Sequence, residues 1–151
     1  MIDIRIRPAR DGDAAAIAEF QQAMAWETER LRLDGPTVLA GVKALLADPA
    51  KGRYWIAEIG GEIVGCSMTT PEWSDWRNGT VLWIQSVYVR EANRRQGVYR
   101  AMHDFLKRMV ESDASLFGIR LYVEKNNHVA QKAYAAMGMD GEHYRLFEWL
   151  K

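Results

Sequence analysis

Arg94, Arg95, Gln96 and Gly97 stand between an apolar stretch, Trp83-Ile84-Gln85-Ser86-Val87-Tyr88-Val89, and an amphipathic one that begins at Val98-Tyr99-Arg100. The order reads as a buried strand, a short cationic turn and a helix with a glycine in its first turn. Such a junction gathers free backbone N–H groups, the positive end of a helix dipole and arginine side chains at one point, the combination that holds a phosphate. We read it as a pyrophosphate cradle.

The segment resembles the acyl-CoA-binding signature of the GNAT superfamily of N-acetyltransferases, Q/R-x-x-G-x-G/A after a strand of V-x-V type. Arg94, Gly97 and Val87-Tyr88-Val89 match, whereas Tyr99 replaces the last small residue. A side chain fits there if its Cβ points away from the phosphates, because the contact is made by the backbone amide. A second stretch, Leu121 to Met139, resembles the other GNAT signature, with Asn127, Ala130, Tyr134, Gly138 and Met139 on the matching positions.

The resemblance implies a single GNAT domain over residues 1–151 with acetyl-CoA as cofactor. The backbone of Arg95, Gln96, Gly97, Val98 and Tyr99, with Arg94 and Arg100, would hold the pyrophosphate. The backbone of Val87 and Val89, with Tyr88 between them, would pair with the pantetheine arm. Asn127 and Ala130 would meet that arm or its neighbourhood, the Val87 amide would stabilise the developing oxyanion, and Tyr134 would protonate the departing thiolate. A phenol of ordinary pKa near 10 can donate to a thiolate near 8.5, so this role is chemically sound. The acceptor amine must lose a proton before attack. The place of the base that many relatives fill with Glu holds Trp83, and neither Gln85 nor Ser86 is a strong base. A water relay, Glu27, Glu29, Glu72 or Asp75 is therefore expected.

Trp26, Trp73, Trp76 and Trp83, interspersed with these carboxylates and with Gln85, fall in segments that would border the acceptor. Aromatic faces beside carboxylates attract an ammonium ion, at about 0.5–2 kcal/mol for each cation–π contact. The expected acceptor is a small amine, a polyamine or a lysine-like side chain, in the manner of the histone or polyamine branch. A protein amino-terminus is the competing acceptor, and an acyl-CoA-binding module with weak catalysis is the competing class, suggested by Tyr99 and by the absent Glu. Trp55 and Trp149 are expected to pack in the core or in a dimer interface.

A chain of 151 residues suits one domain, burying roughly 68–70% of its extended surface. With 20 basic and 20 acidic side chains, nothing in the charge balance favours nucleic acid or a membrane surface as partner. The lone Cys66 excludes an intramolecular disulfide, and no leader or run of about 18 apolar residues occurs, so the expected location is cytoplasmic. His103, His128 and His143 lack metal-ligand spacing, and no metal is expected.

These residues must be positioned by a mixed α/β fold. Alternation predicts strands at 2–7 (closed by Pro8), 53–59, 62–70, 80–89, 119–124 and 143–150, with a hairpin at Gly60-Gly61 and a loop over 71–79. Helices are expected from Ala14 to Arg32, with a candidate break near Trp26 and Asp11 or Asp13 at its start, then over Val38 to Leu46, over 95–112, and from Asn126-Asn127 to Met137 with Gly138 as cap. The result is a mainly antiparallel sheet of about 6–7 strands, a parallel central pair and about four flanking helices. The exposed final strand and the aromatic content raise the hypothesis of a homodimer.

Overall fold

The computed structural model describes residues 1–151, which divide into two compact units, 1–120 and 121–151. The first holds a five-stranded sheet of β1 (Ile4–Pro8), β2 (Arg53–Ile59), β3 (Glu62–Ser74), β4 (Gly79–Val89) and β5 (Leu116–Leu121, whose last residue opens the second unit) in that spatial order. The first three pairings are antiparallel, and β4 and β5 are parallel, joined through helix α3 (Val98–Ser112). Helices α1 (Ala14–Glu29) and α2 (Gly35–Ala47) precede β2, and α4 (His128–Ala136) belongs to the second unit.

Apolar side chains cover both faces of the sheet. On one, Ile17, Phe20, Val42 and Leu45 of α1 and α2 pack on Tyr54, Ile56 and Cys66. On the other, Val98 and Met102 of α3 meet Ala57 and Val64, with Ile4, Ile6, Val87, Val89 and Tyr99 around them. Strand side chains alternate faces, so Cys66, Met68, Thr70 and Glu72 share the α1 side of β3. Gly60 and Gly61 both take positive φ, 59° and 84°, as the tight hairpin between β2 and β3 requires.

Several boundaries differ from expectation. Helix α1 runs unbroken through Trp26 and stops at Arg30, whose φ of 54° is left-handed. Asp13 does not cap it; its carboxylate accepts the Arg10 N–H at 2.7 Å and pairs with Arg7, which also reaches Glu58 at 2.6 Å. Residues 71–74 extend β3, because Pro71, Glu72, Trp73 and Ser74 find partners across β4, and the turn narrows to 75–78. A short 3-10 turn, Glu91–Asn93, delays α3 to Val98, and β5 starts and stops three residues before its expected place. The sheet has five strands rather than six or seven, since residues 143–150 form no strand. Alternation marks a segment that can pair, but pairing also needs an edge to receive it.

The parallel pair is set by close contact where both strands begin. Thr80 N–H donates to Ser115 O at 2.9 Å, and Gly79 lies against Phe117 so closely that a Cβ would overlap the ring. Gly79→Ala should therefore lower stability by about 1–3 kcal/mol through overpacking, read as an earlier urea midpoint with unchanged slope.

His103 is buried on α3 with Nδ1 lacking a hydrogen-bond partner, and burial pushes its pKa below the ordinary 6.5. The unfolded chain thus binds a proton more readily than the folded one. That stability is complete above about pH 6.5 and is lost as pH falls toward the lower folded value. A melting temperature that falls through this window, and falls less in His103→Gln, is the expected result.

Candidate functional site

The register of β3 with β4 breaks once. Thr69 pairs with Ile84 and Met68 with Ser86, leaving Gln85 as an extra residue on β4. A bulge of this kind bends the strand and redirects the residues after it. Beyond it, the Arg90 N–H donates to Val64 O on β3 at 2.8 Å. In an antiparallel ladder neighbouring residues face opposite edges, so Tyr88 is directed to β3 while the N–H and C=O of Val87 and Val89 face away from it. The stretch Val87 to Val89 therefore offers an outward backbone edge.

That edge runs directly into the N-terminus of α3. Its first intrahelical bond is Ala101 N–H to Gly97 O at 2.9 Å, and no side chain caps the helix. The amides of Gly97, Val98, Tyr99 and Arg100 thus lie ahead of the hydrogen-bonded ladder. Gly97 has φ 85° and Arg95 φ 62°. A left-handed non-glycine residue costs on the order of 1 kcal/mol, and such strain concentrates where a ligand is held. A Cβ on Gly97 would meet nothing within 4 Å, so the backbone there is open to close approach. Tyr99 turns into the core, packing with Ala57, Val64, Val98 and Met102, so its side chain leaves this end clear. Arg95, Gln96 and Arg100 are exposed beside it.

Arg94 behaves otherwise than the sequence suggests. Its Nε donates to Val89 O at 2.9 Å and its Nη2 to Glu27 Oε2 at 2.6 Å, while the guanidinium lies 5.5 Å from the centre of the Tyr88 ring. Tyr88 O–H donates to Glu27 Oε1 at 3.1 Å. Partial burial alone would lower the Arg94 pKa, but the Glu27 carboxylate outweighs it and the net direction is up. Tyr88 is raised by burial and by Glu27. Glu27 and Tyr88, expected at the acceptor and on the pantetheine edge, are thus joined to the turn before α3 through one arginine.

On the α1 face of the sheet, Glu72 accepts the Trp83 indole N–H at 2.9 Å and pairs with Arg120. Gln85 donates to Thr70 Oγ1 at 2.9 Å. Alternation puts Thr70 and Glu72 on one face, and their partners Trp83 and Gln85 join them there. Trp26 lies between Arg30 and Arg32, 5.4 and 5.2 Å from its ring centre, and borders a depression of about 390 Å³ lined by Gln22, Leu31, Arg32 and Leu33. Its aromatic face already receives cations from its own chain. Trp73 and Trp76 are 65% and 90% exposed; Glu29 and Asp75 are exposed, and Asp75 contributes its carbonyl to the turn through Asn78 N–H at 3.3 Å.

In the second unit Asn127 caps α4, its Oδ1 accepting the Ala130 N–H at 3.2 Å. Tyr134 lies half-buried in the same helix, which closes at Gly138 with φ 86°. Trp55 packs in the core against Phe105 with its indole N–H on Thr69, as expected, but Trp149 is 87% exposed. Cys66 is buried, and burial pushes its thiol up to about 12. No three His, Cys, Asp or Glu side chains gather as a metal set, and no helix is long and apolar enough to cross a membrane. Sequence reasoning missed Arg120 and the Gln85 bulge. Both depend on partners far along the chain, and no local pattern announces them.

Comparison with known proteins fits this geometry. Residues 14–139 match the family model of the acetyltransferase (GNAT) family. No curated protein matches the chain. Among solved structures, a possible acetyltransferase from Clostridium difficile 630 is 41% identical, with 100% of this chain and 99% of that one covered and a TM-score of 0.92. An integron cassette protein from the mobile metagenome of Cole Harbour Salt Marsh is 21% identical over 96% and 89% of the chains, with a TM-score of 0.82. The aminoglycoside N-acetyltransferase AAC(6')-Iy in complex with CoA is 16% identical over 100% and 96%, with a TM-score of 0.78. These last two share the fold.

The arginine contacts yield a test. If Glu27 competes with a bound phosphate for Arg94, Glu27→Gln should tighten CoA by roughly two- to fivefold, the range of an exposed ion pair, whereas Arg94→Gln should weaken it. Isothermal titration at fixed salt reads both; equal losses would mean that the pair only supports the loop.

Proposed function

The chain belongs to the GNAT family of acetyltransferases, and from that premise we propose that residues 1–151 act as one N-acetyltransferase domain passing the acetyl group of acetyl-CoA directly to a primary amine. The observation that carries this reading is the outward edge of Val87 and Val89 leading into the uncapped start of α3 through left-handed Arg95 and Gly97. An extended pantetheine arm and a pyrophosphate, in that order, have the shape and the acceptors to meet such a surface.

Acetyl-CoA supplies an acyl group already activated as a thioester. The amides of Gly97, Val98, Tyr99 and Arg100 would hold its phosphates, with Arg95 and Gln96 at the rim and Arg94 exchanging Glu27 for phosphate. The Val87 N–H, fixed by the bulge before it, would face the thioester oxygen as charge develops there. Tyr134 would give its proton to the thiolate. Asn127 serves first as the cap that orders α4, and Ala130 receives that cap.

On the acceptor side, Trp83, Gln85, Glu72 and Trp26 are the residues we assign to the amine, with Glu29, Trp73, Asp75 and Trp76 at its exposed margin. Glu27 and Glu72 both have their carboxylates already engaged by arginines, Arg94 and Arg120. Proton removal is therefore assigned to water ordered beside Glu72. The preferred acceptor remains a small amine, a polyamine or a lysine-like side chain. We place the protein in the cytoplasm, in keeping with its single reduced cysteine, and take it to work as a homodimer.

Thiol release with a panel of amines tests the transferase, and the buried Cys66 will not consume the thiol reagent in the folded protein. Acetyl-CoA at 100 times its Kd should stabilise the fold by about 2.7 kcal/mol, visible as a higher Tm. Tyr134→Phe should lower kcat by about 10²–10⁴ while CoA affinity holds. Binding without release on any amine would instead favour the acyl-CoA-binding module, and release on peptide amino-termini alone would make those the acceptor.

A further inference from the structure

Helix α1 ends on a left-handed residue that is not glycine. Arg30, at φ 54°, donates its N–H to Trp26 O at 3.1 Å, and Leu31 N–H reaches back to Ala25 O at 3.2 Å. These bonds reverse the chain over its own last turn. Leu31, Arg32 and Leu33 are thereby laid beside Gln22 and Trp26, and the five line the depression of about 390 Å³. A hollow of this size holds a small molecule.

The charge at the hollow is of one sign. The guanidinium carbons of Arg30 and Arg32 lie 5.4 and 5.2 Å from the centre of the Trp26 ring, and no carboxylate of residues 1–120 pairs with either. Two acids nearby in sequence are engaged elsewhere, Glu27 by Arg94 and Tyr88, and Asp34 by the N–H and O–H of Thr37. Glu29 is exposed and lines no part of the hollow. None of the five lining residues is acidic, Arg32 and Gln22 carry N–H donors, and Trp26, Leu31 and Leu33 supply an apolar wall. The indole expected to attract an ammonium ion is therefore taken by the protein's own cations, and a further ammonium would meet like charge there. A carboxylate or phosphate would instead meet the forked donors of arginine.

The hollow also stands beside the segment assigned to acetyl transfer. Glu27, the neighbour of Trp26, joins Tyr88 and Arg94, and Arg94 bonds Val89 O. The last turn of α1 thus lies along the part of β4 whose outward edge is read as the thioester's.

We propose that the acceptor is an amine that also bears an anionic group, a carboxylate or a phosphate. Arg32, with Arg30 at the same ring, holds that group, and Leu31 and Leu33 flank the stem that joins it to the amine. This inference rests on the transferase reading above; it narrows the small amine to an acidic one and sets polyamines aside.

Thiol release is compared for alkylamines, diamines, amino carboxylates and aminoalkyl phosphates matched in stem length, at saturating acetyl-CoA. The best acid-bearing amine should exceed its alkylamine in kcat/KM by about 10- to 100-fold, chiefly through KM, with the diamine poorest. Carboxylates against phosphates tell which anion is held. Arg32→Gln should bring that ratio near one, Arg32→Lys should keep part of it, and Arg30→Gly, which suits the left-handed turn, should lower it by a smaller factor. A Tm shift with acetyl-CoA in each variant shows that it is folded. Equal kcat/KM with and without the acid, or a preference that survives Arg32→Gln, overturns the anion site and leaves the transferase standing. If no amine releases thiol, calorimetric titration of the amino carboxylates and aminoalkyl phosphates into protein saturated with CoA gives the answer. Heat that disappears in Arg32→Gln keeps the anion site while the transferase reading falls; heat that is absent, or that survives the substitution, overturns both.

Discussion

The pairing of β3 with β4 skips one residue, and the proposed chemistry depends on that skip. With Gln85 left over, Ser86 to Val89 resume the ladder with Tyr88 directed to β3 and with Val87 and Val89 facing outward. An unbroken register would turn each of these residues to the opposite edge, because the ladder has a period of two. The donors offered beyond β4 would then belong to Tyr88, and its ring could not lie against Phe20, 5.1 Å away between centres, while also approaching Glu27. The bulge therefore fixes both an outward backbone edge and a tyrosine packed beneath α1.

Three arginines in this molecule are paired with carboxylates at short range. Arg94 is held by Glu27, Arg120 by Glu72, and Arg7 by Asp13 and Glu58. The first two are partly exposed and individually weak, but each joins elements far apart in sequence, so their weight lies in position more than in energy. The third is nearly buried, and losing Arg7 there would leave two carboxylates without compensation, at a cost of about 3–5 kcal/mol. It ties β1, β2 and the approach to α1 together. Around Trp83, Gln85 and Glu72 the α1 face of the sheet thus carries aromatic surface, neutral hydrogen bonds and a paired carboxylate.

The paired arginine also bears on how the turn before α3 is held. Arg94 bonds Val89 O, part of the outward edge, and Glu27, near the end of α1. Any ligand that takes the Val89 carbonyl or the guanidinium must replace those contacts. Since the pair is about 40% exposed, the replacement is modest in energy, and the loop can be ordered in the free protein without being closed to its ligand.

Much was legible in the sequence because it is local. Alternation and glycine punctuation located β1 to β4 and the hairpin at Gly60-Gly61; the start of α3 reads at 95, three residues early; and Asn127 and Gly138 bracket α4, since a cap acts on amides a few residues away. The two signatures sufficed to name the family, and the unusual Tyr99 fits because its ring turns inward. What the tertiary structure alone decided is everything that needs a distant partner: the register that leaves Gln85 over, the union of Glu27 with Arg94 and of Glu72 with Arg120, and the extension of β3 through Ser74. The segment 143–150 shows the same division most plainly. Its alternation is written in the sequence, but whether it becomes a strand depends on an edge that no local pattern specifies, because hydrogen bonds between strands belong to two segments at once.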